Sequence, residues 1–267
     1  MHSAAACPGF VTGIFTIGKG DAAGAGFAID KMVETRVQEG KPAVLINGKR
    51  SPAPVSKKVM AIFSTRGADI SGLSVSHKTS LPIGFGLGTS AAGALSLSLA
   101  LNDLLGCGFS RKECVKIAHD AEVACGTGLS GVDAVALGGA VFRKSLSSPV
   151  QRLHFPPTVL HFAFFSPIRT ASIVWGKGWE QKVNRAGNKA LLELSGDKSW
   201  GGFVHASRQF AIGSSLGDWC RKDFEKNTSV CMPMLGRALF SDRPLVLRHK
   251  PLLQLKAKTY SGGARLL

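Results

Sequence analysis

The sequence predicts an α+β protein built from two domains. Its 267 residues, of which 45% are hydrophobic, suffice to bury one large core or two small ones. Strand-like segments dominate the first third of the chain, and helical segments follow them. A polar stretch over residues 145–157 carries three prolines, which is typical of a boundary. We therefore predict an N-terminal domain over residues 1–150 and a C-terminal domain over residues 151–267.

Four strands are predicted in the first part of the chain. Residues 25–37 are extended and partly alternate between apolar and polar side chains. Residues 43–46 end at Asn47-Gly48, a dipeptide that favours a tight hairpin turn. The apolar run 60–63 and the segment 73–79 complete the set, and the last of them leads into a glycine-rich loop.

Helices are predicted after that loop. Residues 90–105 are rich in alanine and leucine, and the glycines that follow end the helical pattern. Ser110 and Glu113 form a capping box, which predicts a second helix to about Cys125. Beyond it, strands are predicted at 140–143 and 159–165, and helical stretches near 202–212 and 219–226.

The composition disfavours several classes of protein. No apolar segment fits a membrane span or a secretion signal, so we expect a cytoplasmic protein without a membrane partner. The six cysteines are scattered without a Cys-x-x-Cys pair, and we expect them to be reduced. A net charge of +16 predicts attraction to ATP, acidic metabolites or nucleic acid. Because the basic residues are dispersed and only 7% of residues are aromatic, a nucleic-acid partner is disfavoured.

The loop between the fourth strand and the first helix is the strongest candidate for a binding site. Three alternate glycines precede two hydroxyl residues, and glycine lets backbone N–H groups approach an anion closely. The helix that follows adds its positive end. A glycine-rich turn before a core helix is the alternative interpretation. The pattern predicts an ATP phosphate cradle formed by Pro82, Gly84, Gly86, Leu87, Gly88, Thr89, Ser90 and Ala91.

Two carboxylates downstream suit phosphoryl transfer, which needs a ligand for magnesium and a group that orients the attacking hydroxyl. Glu122 lies near the end of the second predicted helix, and Asp133 follows a glycine-rich turn. The alternatives are a solvent-facing carboxylate for Glu122 and a helix cap for Asp133. His119 and Asp120 are interpreted as a pair on the helix surface.

The glycine loop resembles the second motif of the GHMP kinases, which is written Pro-x-Gly-x-Gly-Leu-Gly-Ser-Ser-Ala-Ala. Thr89 replaces the first serine and keeps the hydroxyl. The resemblance implies a two-domain GHMP kinase fold, with a ribosomal protein S5 domain 2-like N-terminal domain and a ferredoxin-like C-terminal domain. It also implies that ATP and Mg²⁺ are bound, with the metal at Ser90 and Glu122. In mevalonate kinase a Ser-Gly-Val-Asp string carries the catalytic aspartate, which corresponds to Asp133.

Further segments of the chain carry a second resemblance. They are residues 6–15, 24–27, 127–129, 138–139, 166–170, 207–211 and 234–240. In this order they resemble archaeal-type pantoate kinases, which implies phosphorylation of pantoate to 4-phosphopantoate in coenzyme A biosynthesis. Thr12, in the first segment, is an expected substrate contact. Arg143 and Arg208 are candidates for the substrate carboxylate because a guanidinium offers a two-pronged donor, and a solvated surface role is the alternative for each.

Several departures leave alternatives open. Phe10 stands where the family tends to have histidine, and the aligned pantoate kinase aspartate falls at Gly131 rather than at Asp133. Ser261-Gly262-Gly263-Ala264 resembles a reduced form of the third family motif. Another GHMP kinase, acting on mevalonate or homoserine, and a non-catalytic basic binding protein with the same fold both remain as alternatives. Self-association as a homodimer is also left open.

Overall fold

The α+β class is confirmed by a computed structural model, which describes residues 1–168, 173 and 178–267. Its strands are β1 (His2–Phe15), β2 (Gly24–Glu39), β3 (Ala43–Ile46), β4 (Lys49–Arg50), β5 (Leu73–Thr79), β6 (Ala140–Arg143), β7 (Gln151–Leu153), β8 (Val159–Ser166), β9 (Arg237–Ser241), β10 (Leu253–Lys258) and β11 (Arg265–Leu266). Its helices are α1 (Pro54–Thr65), α2 (Thr89–Leu104), α3 (Arg111–Cys125), α4 (Gly131–Leu137), α5 (Trp179–Gly196), α6 (Trp200–Gly213) and α7 (Arg221–Lys226).

The larger sheet has eight strands. Its main path runs β11-β1-β2-β5-β3-β4, and β6 joins the sheet by pairing with β2 and β7. The length of β2 explains this branching, because its first residues pair with β6 and its last residues pair with β5. The β3–β4 hairpin turns at Asn47 and Gly48, whose φ angles of 49° and 79° suit the predicted tight turn.

Helix α2 lies against this sheet and is the centre of the core. Its residues from Ala91 to Leu101 are all buried, and the helix contacts β1, β2 and α3. Many of these residues are alanine, glycine or serine, whose small side chains let the helix pack closely on the strands. Helix α3 begins at the predicted capping box, with the Ser110 hydroxyl accepting from the Glu113 amide.

The strand predicted at residues 60–63 is wrong, because this run lies inside helix α1. Val55, Val59 and Phe63 are spaced four residues apart and are buried on one face of that helix. The four apolar residues considered alone are too few to reveal this period. Pro54, at the first helical position, supplies a start signal.

A second sheet, ordered β10-β8-β9, is built from the later part of the chain. The chain then returns to the larger sheet, where Arg265 and Leu266 of β11 pair with Ala6 and Ala5 of β1. The division of the chain at residue 150 stays a prediction. None of the helices within the described ranges has the length and apolar character needed to cross a membrane.

Candidate active site

The glycine loop lies between β5 and α2, as the sequence predicts. Gly84, Gly86 and Gly88 have φ angles of 85°, 79° and 64°, in the region that favours glycine. Gly88 is the N-cap residue of α2 and has no side chain to cap the helix. The amides at the start of α2 are therefore available to an anion, which suits a phosphate site.

Close packing around the loop adds a second requirement for glycine. A Cβ on Gly86 would lie 2.9 Å from the Pro233 carbonyl oxygen, and one on Gly88 would lie 3.1 Å from Cβ of Phe10. The Phe10 amide donates to the Leu87 carbonyl at 3.0 Å, which fixes β1 against the loop. The loop is thus built into the fold as a fixed structure.

Glu122 lies next to the start of α2. Its side chain is only 3% exposed and accepts hydrogen bonds from the Ser90 hydroxyl and, at 2.8 Å, from the Thr127 hydroxyl. Burial raises the pKa of Glu122, and the two hydroxyl donors oppose that rise. A Cβ on Gly128 would come within 2.6 Å of the carboxylate, so a side chain at this position would displace the Glu122 carboxylate.

This arrangement fits a magnesium ion that is shared with a nucleotide. Mg²⁺ is usually held by one or two protein oxygen ligands together with phosphates and water. Ser90 and Glu122 offer such ligands, and Ser90 lies in the first turn of α2, directly after the glycine loop. In the part of the chain that the structure describes, no group of three His, Cys, Asp or Glu side chains forms an all-protein metal site.

Asp133 lies in the first turn of α4 and faces a cavity. A Cβ on Gly131 would lie 3.4 Å from Cβ of Ala91, so the starts of α4 and α2 are in contact. Partial burial raises the pKa of the Asp133 carboxyl, although the side chain remains open to the cavity. The wall of the cavity also includes Thr12 and Arg143. Three predicted site residues therefore meet at one place.

The Arg143 guanidinium lies at the wall of this cavity and forms an ion pair with Asp21. Its Nη1 lies 2.8 and 2.7 Å from the two carboxylate oxygens of Asp21. Its Nε donates to the Ser148 carbonyl at 3.2 Å, and its Nη2 donates to the Leu146 carbonyl. These contacts fix the guanidinium at the cavity wall, and the Asp21 carboxylate balances its charge.

The structure does not bring Arg208 to the cavity. Its guanidinium donates to the backbone carbonyls of Asn227 at 2.8 Å, Val230 at 2.7 Å and Phe224 at 2.5 Å. Arg208 is also not among the residues that line the cavity. These contacts give Arg208 a role in holding residues 224–230 against α6. Arg169 and Thr170 of the family-like segment 166–170 lie outside the described residues.

The third family-like motif supports the far end of α4. Methyl groups on Gly138 and Gly263 would collide with the carbonyls of Gly262 and Ala136, respectively. Arg111 joins the same two segments by donating to the Ala136 carbonyl at 3.1 Å and to the Ala264 carbonyl at 2.7 Å. The helix that carries Asp133 is thus held by residues near the end of the chain, and the short strand β11 follows them.

Known proteins share this fold. Residues 55–143 match the GHMP kinases N terminal domain. A solved structure titled "Phosphotransferase related to CoA biosynthesis pathway" superposes with a TM-score of 0.79 at 22% identity, covering 100% of this chain and 98% of that one. The chain belongs to the GHMP kinase family, and the two-domain GHMP fold is confirmed.

Within this family the chain is similar to pantoate kinases. The pantoate kinase of Methanocaldococcus jannaschii is 30% identical over 252 residues, covering 87% of this chain and 90% of that protein. The pantoate kinase of Methanospirillum hungatei is also 30% identical, over 170 residues, covering 60% of this chain and 56% of that protein.

Proposed function

We propose that the protein is an ATP-dependent pantoate kinase, which phosphorylates the primary hydroxyl of pantoate to give 4-phosphopantoate on the route to coenzyme A. The observation that carries this proposal is the cavity in which Asp133, Thr12 and Arg143 meet, beside the start of the helix that follows the glycine loop. The match to a pantoate kinase over most of both chains supports the choice of substrate.

ATP supplies the phosphoryl group, and Mg²⁺ neutralises its negative charge. We assign the phosphates to residues 82–91 and the metal to Ser90 and Glu122. The buried Glu122 carboxylate has a raised pKa in the protein alone, so a cation beside it would stabilise its charged form. The rigid glycine loop orients the nucleotide, which is how most of the rate enhancement arises in this class of reaction.

Asp133 is proposed as the general base. One of its carboxylate oxygens accepts the proton of the primary hydroxyl as that hydroxyl oxygen forms its bond to the γ-phosphorus of ATP. The bond from this phosphorus to the β–γ bridging oxygen breaks, and ADP is the leaving group. The raised pKa of Asp133 suits this role, because a carboxylate that holds a proton more strongly is a better base near neutral pH.

Arg143 is proposed to receive the substrate carboxylate, and Thr12 to donate or accept a hydrogen bond with the substrate. Most of the other cavity residues are small or aliphatic, including Ile14, Val141 and Val150, and they suit a branched carbon skeleton. We also propose a cytoplasmic location, which the six free cysteines support. Arg208 is no longer proposed as a substrate contact, because it does not line the cavity and its guanidinium holds backbone carbonyls elsewhere.

The test is ADP release by the purified protein with Mg-ATP and pantoate, with mevalonate and homoserine as comparison substrates. We expect turnover with pantoate, and a fall of about 10²- to 10⁴-fold in kcat for Asp133→Asn. Asp120→Asn is the control, because Asp120 pairs with Lys116 on α3 and does not line the cavity. Preference for mevalonate or homoserine would point to another member of the family. Turnover with none of the three would argue for a binding protein.

A further inference from the structure

The turn between β1 and β2 is held by an unusual number of side chains. It spans residues 17–22 and closes through a hydrogen bond from the Gly18 amide to the Asp21 carbonyl at 2.9 Å. Three other elements bind it at separate points. Asn184 of α5 accepts from the Ile17 amide at 2.6 Å and donates to its carbonyl at 2.9 Å. These contacts fix the turn next to the cavity, whose wall includes Ala22.

The second attachment comes from α3. Nε2 of His119 lies 3.0 Å from the Gly20 carbonyl oxygen. A carbonyl only accepts, so Nε2 carries the proton in this contact. His119 precedes Glu122 by three residues and shares its face of the helix. The side chain interpreted from the sequence as a surface residue thus connects the magnesium-ligand helix to the turn.

The third attachment is the ion pair of Asp21 with Arg143. Asp21 is itself oriented by the turn, since its Oδ1 also accepts from the Ala22 amide at 2.7 Å. The residue that His119 binds, Gly20, is the immediate neighbour of Asp21. A change in the position of Gly20 would therefore move the Asp21 carboxylate and disturb the ion pair at Nη1 of Arg143, leaving the guanidinium held only by the Ser148 and Leu146 carbonyls.

We infer that His119 is a positioning residue, which holds the turn 17–22 to α3. Through this turn it sets the distance between the Arg143 guanidinium, which is proposed to bind the substrate carboxylate, and the proposed base Asp133. The inference rests on the proposed function for the identity of the substrate. His119 itself touches neither nucleotide nor substrate in this arrangement, and its effect passes through Gly20 and Asp21.

Loss of this attachment should affect substrate binding in particular. The phosphate loop is held by contacts to Phe10 and to the segment containing Pro233, and neither contact involves the turn 17–22. We therefore expect His119→Ala to raise KM for pantoate about 10-fold, since a misplaced binding group weakens the oriented complex. KM for ATP should change less than 2-fold, because the contacts that hold the phosphate loop do not involve the turn 17–22.

His119→Gln is the conservative variant. The glutamine amide nitrogen lies at about the same reach as Nε2 and donates a hydrogen bond, so we expect KM for pantoate to return to within about 2-fold of the wild-type value. Asp120→Ala, on the adjacent position of α3, is the matched control and should leave both KM values unchanged.

A second readout does not depend on the substrate. Hydrogen–deuterium exchange of the peptide covering residues 16–23 should speed up in His119→Ala and in Asp21→Asn, and should stay at the wild-type rate in His119→Gln. In the double variant that combines His119→Ala with Asp21→Asn, KM for pantoate should be no higher than in the single variant with the higher KM, because both changes act through the same turn.

The outcomes separate this inference from the proposed function. Wild-type protein without pantoate turnover contradicts the proposed function, and exchange over residues 16–23 then decides whether His119 holds the turn. Unchanged exchange in His119→Ala overturns the inference. Three other results would also overturn it. His119→Ala could lose thermal stability with an unaltered KM for pantoate, or His119→Gln could fail to restore the wild-type values. The effects of His119→Ala and Asp21→Asn on KM for pantoate could also be additive.

Discussion

Acidification should weaken the larger sheet through one buried side chain, His77 of β5. His77 is 5% exposed and lies among hydroxyl groups. Its Nδ1 is 2.8 Å from the Thr35 hydroxyl, its Nε2 is 2.9 Å from the Ser56 hydroxyl, and Thr35 is bonded in turn to Ser96. Burial lowers the pKa of His77 to about 4. The neutral ring is therefore the form that the folded protein accommodates.

The magnitude follows from the difference in proton uptake. An exposed histidine in the unfolded chain titrates near pH 6.5, whereas His77 in the folded protein titrates at about 4. Between these values unfolding takes up a proton, so the free energy of unfolding falls as the pH falls. The shift in the pKa of His77 contributes roughly 3 kcal/mol to the pH dependence of the free energy of unfolding. About 2 kcal/mol of this stability is lost between pH 7.5 and pH 5.0.

The assay is urea unfolding at pH 7.5 and 5.0, with hydrogen exchange of the β5 amides as a local readout. His77→Gln keeps a donor and an acceptor but does not titrate, so its loss of stability between the two pH values should be about 2 kcal/mol smaller than that of the wild-type protein. His205→Gln is the control, because His205 is exposed on α6. Equal losses in the wild-type protein and in His77→Gln would refute the reasoning.

Three further predictions concern the site. Gly138→Ala should destabilise the protein by more than about 2 kcal/mol, because its methyl group meets the Gly262 carbonyl at a φ of 64°. Gly106→Ala, with open space around it at a φ of 58°, should cost only about 1 kcal/mol in the same thermal melts. Glu122→Gln should raise the Mg²⁺ concentration needed for half-maximal activity at least about 10-fold without lowering Tm, because it removes a buried charge and keeps the shape. Arg208→Ala should lower Tm and leave KM for pantoate unchanged, whereas Arg143→Ala should raise that KM; the reverse pattern would contradict the placement of both residues.

The local features of the chain were predictable because they depend on neighbours in sequence. The glycine loop, the capping box at Ser110 and the hairpin at Asn47-Gly48 each form from a few adjacent residues. Helix α1 was not predicted, since its four-residue apolar run fits either period. Strand β1 was also not predicted, because its many small residues acquire their strand character from partners on both sides.

Some residues of the candidate site could likewise be predicted from the sequence, and others could not. Glu122, Ser90 and Asp133 could be located from motif spacing, and the structure brings them to the ends of adjoining helices. Asp21 and His119 gave no such signal, because their partners lie 122 and 99 residues away in the chain. The role of an arginine is also hard to predict from sequence, because a guanidinium donates both to a substrate carboxylate and to backbone carbonyls.

The pairing of β11 with β1 affects how the protein is made. Residues 265–266 emerge from the ribosome about 260 residues after their partners at 5–6, a delay of roughly 10 to 50 s at typical rates of synthesis. During that interval one edge of β1 is open, and Gly262 and Gly263 have not yet reached the helix that carries Asp133. An unpaired strand edge is a site for wrong association with other chains. The nascent chain should therefore be open to such association until residues 262–266 have emerged, and the helix that carries Asp133 should become ordered only after that point.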